Sequence, residues 1–435
     1  MKRLVISAFI AICAGVAGAD AATVNVVSVR SRWPWSPKVD VVYDYSGEEP
    51  GSVRLTATWR GQAEPVNLVG LETTGAFLVT NGRHRVSWDP VAAGVGDKTL
   101  VDFRVQAAVV ADDPRTYLVV DLVDGGYETR ADVPEGGWTD AYKTTKLVFR
   151  RIPAGTYALG YPMADFFRLE AETGWSRPTA QGMAPRTVTL SSDFYYQVFL
   201  TTVAQAAALQ GTSSPGTAPK REHREGYALF RGATLDDGAK AVDWPATGYS
   251  VAADSLVGKL RQKLGGGLLA DLPTQEQWEI AMRVGTDTLW PSGGGPDSTA
   301  EELTNAVHAI SWCKWIDGEP LAYNRAVGLK QANRWGVYDF NVMYEATLSW
   351  ANDAEEITHP DKKSLNVAFP AGGLDPLGPA TSCHGARIFM GGDANGSGLT
   401  FRNLATPART GVVVTGNPTL YCGLRFAIHL APLVR

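Results

Sequence analysis

The sequence lacks several features that would place it in a specialised class of proteins. It has only 4 cysteines and 6 histidines in 435 residues, and its formal net charge is −5. We find no stripe of Lys and Arg interleaved with aromatic residues, the pattern that neutralises phosphates, so nucleic acid is not an expected partner. No pair of histidines stands at the spacing by which a helix presents two metal ligands. The sequence therefore argues against nucleic-acid binding and against iron held by a histidine cluster.

Long apolar runs are also absent after the first residues. The chain opens with basic Lys2 and Arg3, continues through an apolar run, Leu4–Val16, and then has small residues that suit signal peptidase. This pattern predicts that residues 1–21 are a cleaved signal peptide. An uncleaved anchor is the alternative, but the run is shorter than the roughly 20 apolar residues that span a bilayer. We expect the mature chain to be extracytoplasmic (periplasmic, on the cell surface or secreted) and to have no membrane segment.

Loss of the signal peptide leaves three cysteines, Cys313, Cys383 and Cys422. In an oxidising compartment two of them can form a disulfide bond. We predict the pair Cys383 and Cys422, because each directly precedes a strand-like run. Buried thiols in the core are the alternative.

The rest of the composition is that of folded domains. Hydrophobic residues make up 45% and charged residues 20%, and a chain of 435 residues suggests two or three domains. Alternating apolar and polar residues between positions 22 and 123 predict an all-β N-terminal sandwich of the immunoglobulin or fibronectin type. Its clearest strands are predicted at Val39–Tyr43, Val53–Trp59, Gly82–Asp89, Val101–Val105 and Tyr117–Leu122. Residues 124–145, which contain Gly, Asp and Pro, are predicted to be a linker.

Residues 146–435 are predicted to form an α+β domain, because helical patterns are embedded in Gly- and Pro-rich sequence. Two helices should begin at Thr202 and Thr274, since each threonine has a glutamine three residues later and so fits a capping box. A third helix is predicted from Ser255 to Leu264, where apolar residues recur at helical spacing before Gly265.

Six segments of this domain resemble, in the same order, the sulfatase-modifying-factor (formylglycine-generating enzyme) family. The most recognisable is LPTQEQWEIA at Leu272–Ala281. The others are Ile152–Tyr157, Val188–Tyr195, Asn333–Phe340, Gly391-Gly392 and Gly423–Phe426. The resemblance implies a C-type-lectin-like fold for residues 146–435.

The family's enzymes oxidise a cysteine of sulfatases by means of copper(I), which two cysteines hold shortly after an Arg-Gly-Gly-Ser strand. Soft thiolate ligands select copper(I), so this chemistry depends on both cysteines. The matching strand here is Arg387–Asp393, and the two cysteine positions fall at about Gly396 and Phe401. No cysteine lies between Met390 and Tyr421. Copper is therefore not an expected cofactor. The Gly-Asn-Val-Trp-Glu-Trp block that helps relatives to hold calcium is also altered, to Asn341–Ala346.

The segment after Gly391-Gly392 carries the candidate binding residues, because the resemblance implies that it lies on the ligand-facing surface. Hydrogen-bonding and stacking groups suited to a peptide or a glycan are Asp393, Asn395, Arg402, Asn403, Arg409 and Trp350. Three of the oxygen donors, Asp393, Asn395 and Ser397, also match the first half of a calcium loop, whereas Asx turns explain the same composition.

Three functions are compatible with the sequence. The leading hypothesis is a non-catalytic protein that binds protein or glycan ligands. The alternative is a formylglycine-generating oxidoreductase that acts on exported sulfatases with a different metal or with none. A third hypothesis is a hypervariable receptor of the kind that retroelements diversify.

Overall fold

The computed structural model describes residues 22–32, 37–47, 51–62, 64–68, 77–79, 81–88, 90, 100–110, 116–174, 185–190, 192–220, 222–223, 227–231, 251–265, 268–312, 324–340, 344–350, 373–374, 386–391, 409–413 and 421–429. These residues divide into two units. The first contains the described positions 22–110 with Ile152–Thr156 and Thr189–Asp193, and the second contains the others.

The first unit is built from antiparallel strands. They are β1 (Thr23–Ser31), β2 (Val39–Ser46), β3 (Gly51–Thr58), β4 (Val66–Asn67), β5 (Phe77–Val79), β6 (Gly82–Trp88) and β7 (Arg104–Val110). One sheet has the order β1-β2-β6, and in the other β3 pairs with β4, β5 and β7. Val41 and Trp88 of the first sheet share a core with Leu55 of the second. Apolar side chains thus fill the space between two sheets, as alternation along the strands requires.

Two strands of this region differ from the sequence-based prediction. The strand predicted at Val101–Val105 begins only at Arg104, because Asp102 adopts a left-handed backbone (φ 56°) within a turn. The segment predicted as Tyr117–Leu122 is a strand, β8 (Tyr117–Asp121), but it belongs to the second unit. Its apolar run fits a buried strand of either unit, and only the long-range pairing partner decides which sheet it joins.

The predicted linker, residues 124–145, also contains regular structure. It holds strand β9 (Tyr127–Arg130), which pairs with β8, and helix α1 (Ala141–Thr144). The glycines that suggested a linker close this hairpin, since Gly125 and Gly126 have φ values of 82° and 80°. The second unit therefore begins before residue 146.

The second unit contains three sheets and most of the described helices. Its further strands are β10 (Lys146–Ile152), β11 (Gly155–Leu159), β12 (Arg186–Leu190), β13 (Phe194–Gln197), β14 (Glu222–His223), β15 (Leu269–Asp271), β16 (Tyr344–Trp350), β17 (Gly373–Leu374), β18 (Ala386–Met390), β19 (Arg409–Val413), β20 (Tyr421–Gly423) and β21 (Ala427–His429). The sheet orders are β15-β21-β13-β10-β8-β9, β11-β12-β17 and β14-β20-β16-β18-β19. The ends of β11 and β12 also contribute to the first unit.

Both faces of the six-stranded sheet are covered by apolar side chains. Leu118 and Leu147 point into a core that also holds residues of the helices, such as Leu260. On the other face, Val119 and Val148 belong to a separate core. Two-sided burial explains the apolar runs Tyr117–Val120 of β8 and Leu147–Phe149 of β10.

The remaining helices confirm the three predictions and add two long helices that we did not predict. They are α2 (Met163–Thr173), α3 (Val203–Leu209), α4 (Tyr227–Arg231), α5 (Leu256–Lys263), α6 (Gln275–Arg283) and α7 (Ala300–Ile310). Capping boxes at Thr202 and Thr274 begin α3 and α6, and Ser255 caps α5. Helix α7 has the same signature, Thr299 with Glu302, which the sequence analysis overlooked. None of the helices in the described part of the chain combines the length and hydrophobicity needed to cross a bilayer.

Candidate functional site

The candidate site is the part of the five-stranded sheet between the end of β18 and the start of β19, which residues 392–408 connect in the sequence. Strand β18 ends at Met390, Gly391 follows with a left-handed backbone (φ 78°), and β19 resumes the sheet at Arg409. Met390 is paired with Arg409 on one side and with Glu345 of β16 on the other. The row Glu345, Met390 and Arg409 therefore forms the base from which the segment leaves and to which it returns.

The predicted binding residues take different places relative to this base. Arg409 is at the base itself, as the first residue of β19. Trp350 is the last residue of β16 and pairs with Arg387, three positions along β18 from Met390. The backbone thus sets Trp350 apart from Arg409. The other predicted residues, namely Asp393, Asn395, Ser397, Arg402 and Asn403, lie outside the described residues, and their ligand and calcium roles stay predictions.

A buried ion pair supports the base of the site. The Nε of Arg425 donates to Oε2 of Glu345 at 2.9 Å, and both side chains are 0–1% exposed. The two Nη atoms of Arg425 donate to four backbone carbonyl oxygens at 2.6–3.3 Å, those of Gln197, Val198, Tyr338 and Asp339. One guanidinium therefore joins β16 to the end of β13 and to the segment before β16.

The neighbouring polar groups extend this support. Asp339 accepts from the N–H of Gly328 at 2.7 Å, and Gln197 accepts from the N–H of Phe426 at 2.9 Å. Burial raises the pKa of Asp339 and of Glu345, while the positive charge of Arg425 acts in the opposite direction. Arg425 and Glu345 are inaccessible to solvent, and the hydrogen bonds of Arg425 hold strands of the sheet together.

The described residues do not fit copper(I), the metal that the family resemblance implies. No group of three or more His, Cys, Asp or Glu side chains that suits a metal occurs among the residues that the structure describes. Cys422 of β20 is 1% exposed and packs in the main apolar core of the second unit. It is thus in the core and not on the segment after Gly391. Its predicted disulfide partner, Cys383, lies outside the described residues, so that bond stays a prediction.

Sequence reasoning missed the Arg425–Glu345 pair, although a signal for it was present. Arg425 is the charged residue within an otherwise apolar run, Gly423–Ile428. An arginine in such a run is expected to have a buried acidic partner, because an unpaired buried charge is costly. The partner, Glu345, belongs to the altered calcium block, and its carboxylate accepts a hydrogen bond from Arg425.

Comparison with known proteins bears on this second unit. A family model, described as the sulfatase-modifying factor enzyme 1-like domain, matches residues 145–427. No curated protein and no solved structure matches the chain. The matched range contains the three helices that the sequence predicted and the base formed by Glu345, Met390 and Arg409. The chain therefore belongs to the sulfatase-modifying factor enzyme 1-like family.

Proposed function

We propose that this protein is a non-catalytic, binding member of its family, and that residues 391–409 bind a peptide or a glycan. The observation that carries the proposal is the absence of both copper ligands, since the two cysteine positions fall at about Gly396 and Phe401 and no cysteine lies between Met390 and Tyr421. A glycine and a phenylalanine supply no thiolate, so the oxygen chemistry of the family's enzymes has no metal to act through. The ion pair that holds the strands next to the ends of this segment is nevertheless present, because Arg425 and Glu345 are buried and paired.

The composition of the segment suits recognition by hydrogen bonds. Asp393, Asn395 and Asn403 supply carboxylate and amide groups, and Arg402 and Arg409 supply guanidinium groups that bind carboxylates in a bidentate manner. Such groups, carried on a segment whose two ends are fixed by a sheet, are a common arrangement for binding. In this proposal Asp393, Asn395 and Ser397 hold calcium when the ligand requires it.

Two broader features belong to the same proposal. The second unit adopts the C-type-lectin-like arrangement, in which a segment of this kind faces outward, and the first unit is an immunoglobulin-like module that accompanies it. The protein is exported, and residues 1–21 are removed. To test the removal of residues 1–21, the chain is expressed with these residues and the intact mass of the recovered protein is measured.

A direct assay separates binding from catalysis. The purified chain is incubated in air with a Cys-x-Pro-x-Arg peptide, with and without copper, and the peptide is analysed by mass spectrometry. We expect no conversion of the cysteine CH₂SH group to an aldehyde under either condition. A copper-dependent or copper-independent aldehyde product would establish the oxidoreductase alternative and overturn the proposal.

The binding activity is tested with defined libraries. A glycan array and a displayed random-peptide library are screened with the native chain and with the double variant Arg402→Ala/Asn403→Ala. Arg30→Ala is the matched control, because Arg30 is an exposed arginine on β1 of the first unit. We expect ligands that the native chain and the control bind and that the double variant loses. Equal binding by all three chains would contradict the assignment to residues 391–409.

A further inference from the structure

Strand β9 is an open edge of the six-stranded sheet. In the described part of the chain it has a neighbouring strand, β8, on one side only. Its residues Tyr127, Glu128 and Thr129 are exposed and Arg130 is half-buried. A row of unpaired backbone groups of this kind is a template for another strand.

The hydrogen-bond alternation shows which backbone groups of β9 face outward. The N–H of Asp121 donates to the carbonyl of Gly126 at 3.1 Å, so these two residues form a hydrogen-bonded pair of the β8–β9 hairpin. Every second pair has the same geometry, which turns the N–H and C=O groups of Glu128 and Arg130 toward β8. The N–H and C=O groups of Tyr127 and Thr129 therefore point away from the sheet.

The charged side chains of β9 are complementary to those of a second, antiparallel copy of the same strand. Glu128 and Arg130 lie on one face of β9, where their side chains are 3.2 Å apart and remain 54% and 35% exposed. When two copies of β9 pair antiparallel with Thr129 at the centre, Glu128 of each copy stands opposite Arg130 of the partner subunit. Tyr127 then stands opposite Ala131 of the partner subunit. Opposite charges that face each other across neighbouring strands stabilise the pairing.

This register also matches the outward backbone groups. Tyr127 and Thr129 point outward, and in an antiparallel pair with Thr129 at the centre the hydrogen-bonded residues are 127, 129 and 131. A register shifted by one residue toward the start of β9 would place Glu128 opposite Glu128 of the partner subunit, which like charges disfavour.

A further observation favours a protein surface at this edge. Three of the exposed large apolar side chains, Val123, Tyr127 and Val133, belong to the β8–β9 hairpin or directly follow it, at 60%, 47% and 45% exposure. β8 and β9 also precede the family-matched range, residues 145–427.

We infer that two copies of this chain associate through β9, in an isologous contact that continues the six-stranded sheet from one subunit into the other. The inference does not depend on the proposed ligand-binding segment. One strand of four residues is small beside the roughly 1,200 Å² that a stable interface buries. The dimer is therefore expected to depend strongly on protein concentration.

Charge-swapped variants test the register. Sedimentation velocity is measured from micromolar to submillimolar concentrations for the native chain, Arg130→Glu and Glu128→Arg, with Arg30→Glu as the control for a reversed surface charge. We expect the native chain and the control to dimerise alike. Each single variant opposes like charges at both pairs, so its dimerisation should be about tenfold weaker or more. An equimolar mixture of the two single variants restores both pairs and should dimerise again.

A backbone variant tests the edge itself. Thr129→Pro removes an outward N–H that the β8 ladder does not use, so the hairpin should form while dimerisation is lost. Circular dichroism and the thermal midpoint check that each variant is folded. A native chain that stays monomeric at all concentrations overturns the inference and leaves β9 as an edge for a strand of another protein. Equal dimerisation of the native chain and both single variants overturns it as well.

Discussion

Individual buried residues carry most of the polar organisation of the second unit. Burial removes the guanidinium of Arg425 from water, which costs solvation free energy. In exchange, the guanidinium donates hydrogen bonds to one carboxylate and four backbone carbonyls. Such a pair is less a source of stability than a means of fixing one arrangement of the strands that it joins. Removing one partner lowers the free energy of unfolding far more than removing both, because single removal leaves the other charge buried without a counter-charge.

Substitution of Arg425 tests this asymmetry. Arg425→Met leaves Glu345 unpaired in the core, and we expect it to lower the free energy of unfolding by about 3–5 kcal/mol. The double variant Arg425→Met/Glu345→Met should recover part of this loss. Urea denaturation measures both. If the single variant is as stable as the native chain, or the double variant is less stable than the single, Arg425 does not hold the sheet as described.

His429 predicts a dependence of stability on pH. It is buried in β21, and the amide of Gln277 lies 3.2 Å from its Nδ1. Burial lowers the pKa of His429 from 6.5 to about 4, with the nearby charges of Asp271 and Arg261 acting in opposite directions. Between these two values the unfolded chain binds a proton that the folded chain does not, so stability falls as the pH falls from about 6.5 toward 4.

The magnitude of this loss follows from the pKa difference, about 3 kcal/mol over the whole interval. Because burial raises the pKa of Glu345 and Asp339, those carboxyl groups act in the opposite sense, and the native chain alone does not isolate His429. The measurement is therefore the difference between the native chain and His429→Gln in urea unfolding at several pH values. Parallel pH profiles of the two chains would show that His429 does not contribute.

At the scale of elements, helix beginnings are the best-determined parts of the fold. The hydroxyl of Thr274 accepts from the N–H of Gln277 at 3.1 Å, and the side chain of Gln277 accepts from the N–H of Thr274 at 2.9 Å. Helix α6, which this box begins, is buried throughout. The box therefore satisfies N–H groups that have no access to water.

Removal of the Thr274 hydroxyl should weaken α6 specifically. Thr274→Ala is expected to lower the free energy of unfolding by about 1–2 kcal/mol, whereas Thr274→Ser keeps the acceptor and should cost much less. Thr299→Ala at the exposed start of α7 provides a comparison, because water can replace the hydroxyl there. Thermal unfolding of the three variants ranks them by the stability that each loses. Equal losses at Thr274→Ala and Thr274→Ser would rule out the capping bond as the cause.

At the scale of the whole molecule, the sequence predicted local features better than it predicted which parts pair with each other. Capping boxes at Thr202 and Thr274 were visible because a helix start depends on four consecutive residues. The division between units was not visible, because the short apolar run of β8 fits a strand of either unit until β10 is placed beside it. The Arg425–Glu345 pair joins residues 80 positions apart. The apolar run around Arg425 indicates that a buried acidic partner exists, but no local pattern identifies which residue it is.

The pairing of Met390 with Arg409 has a further consequence for how this chain tolerates change. Both ends of the intervening segment are tied to adjacent strands, and the entropy of closing a loop grows only slowly, by about 0.6 kcal/mol for each doubling of its length. Insertions and replacements between these two residues should therefore cost little stability. The second unit is accordingly a candidate scaffold for grafting foreign loops. The positions between Met390 and Arg409 can vary, and they are separate from the residues that hold the sheet.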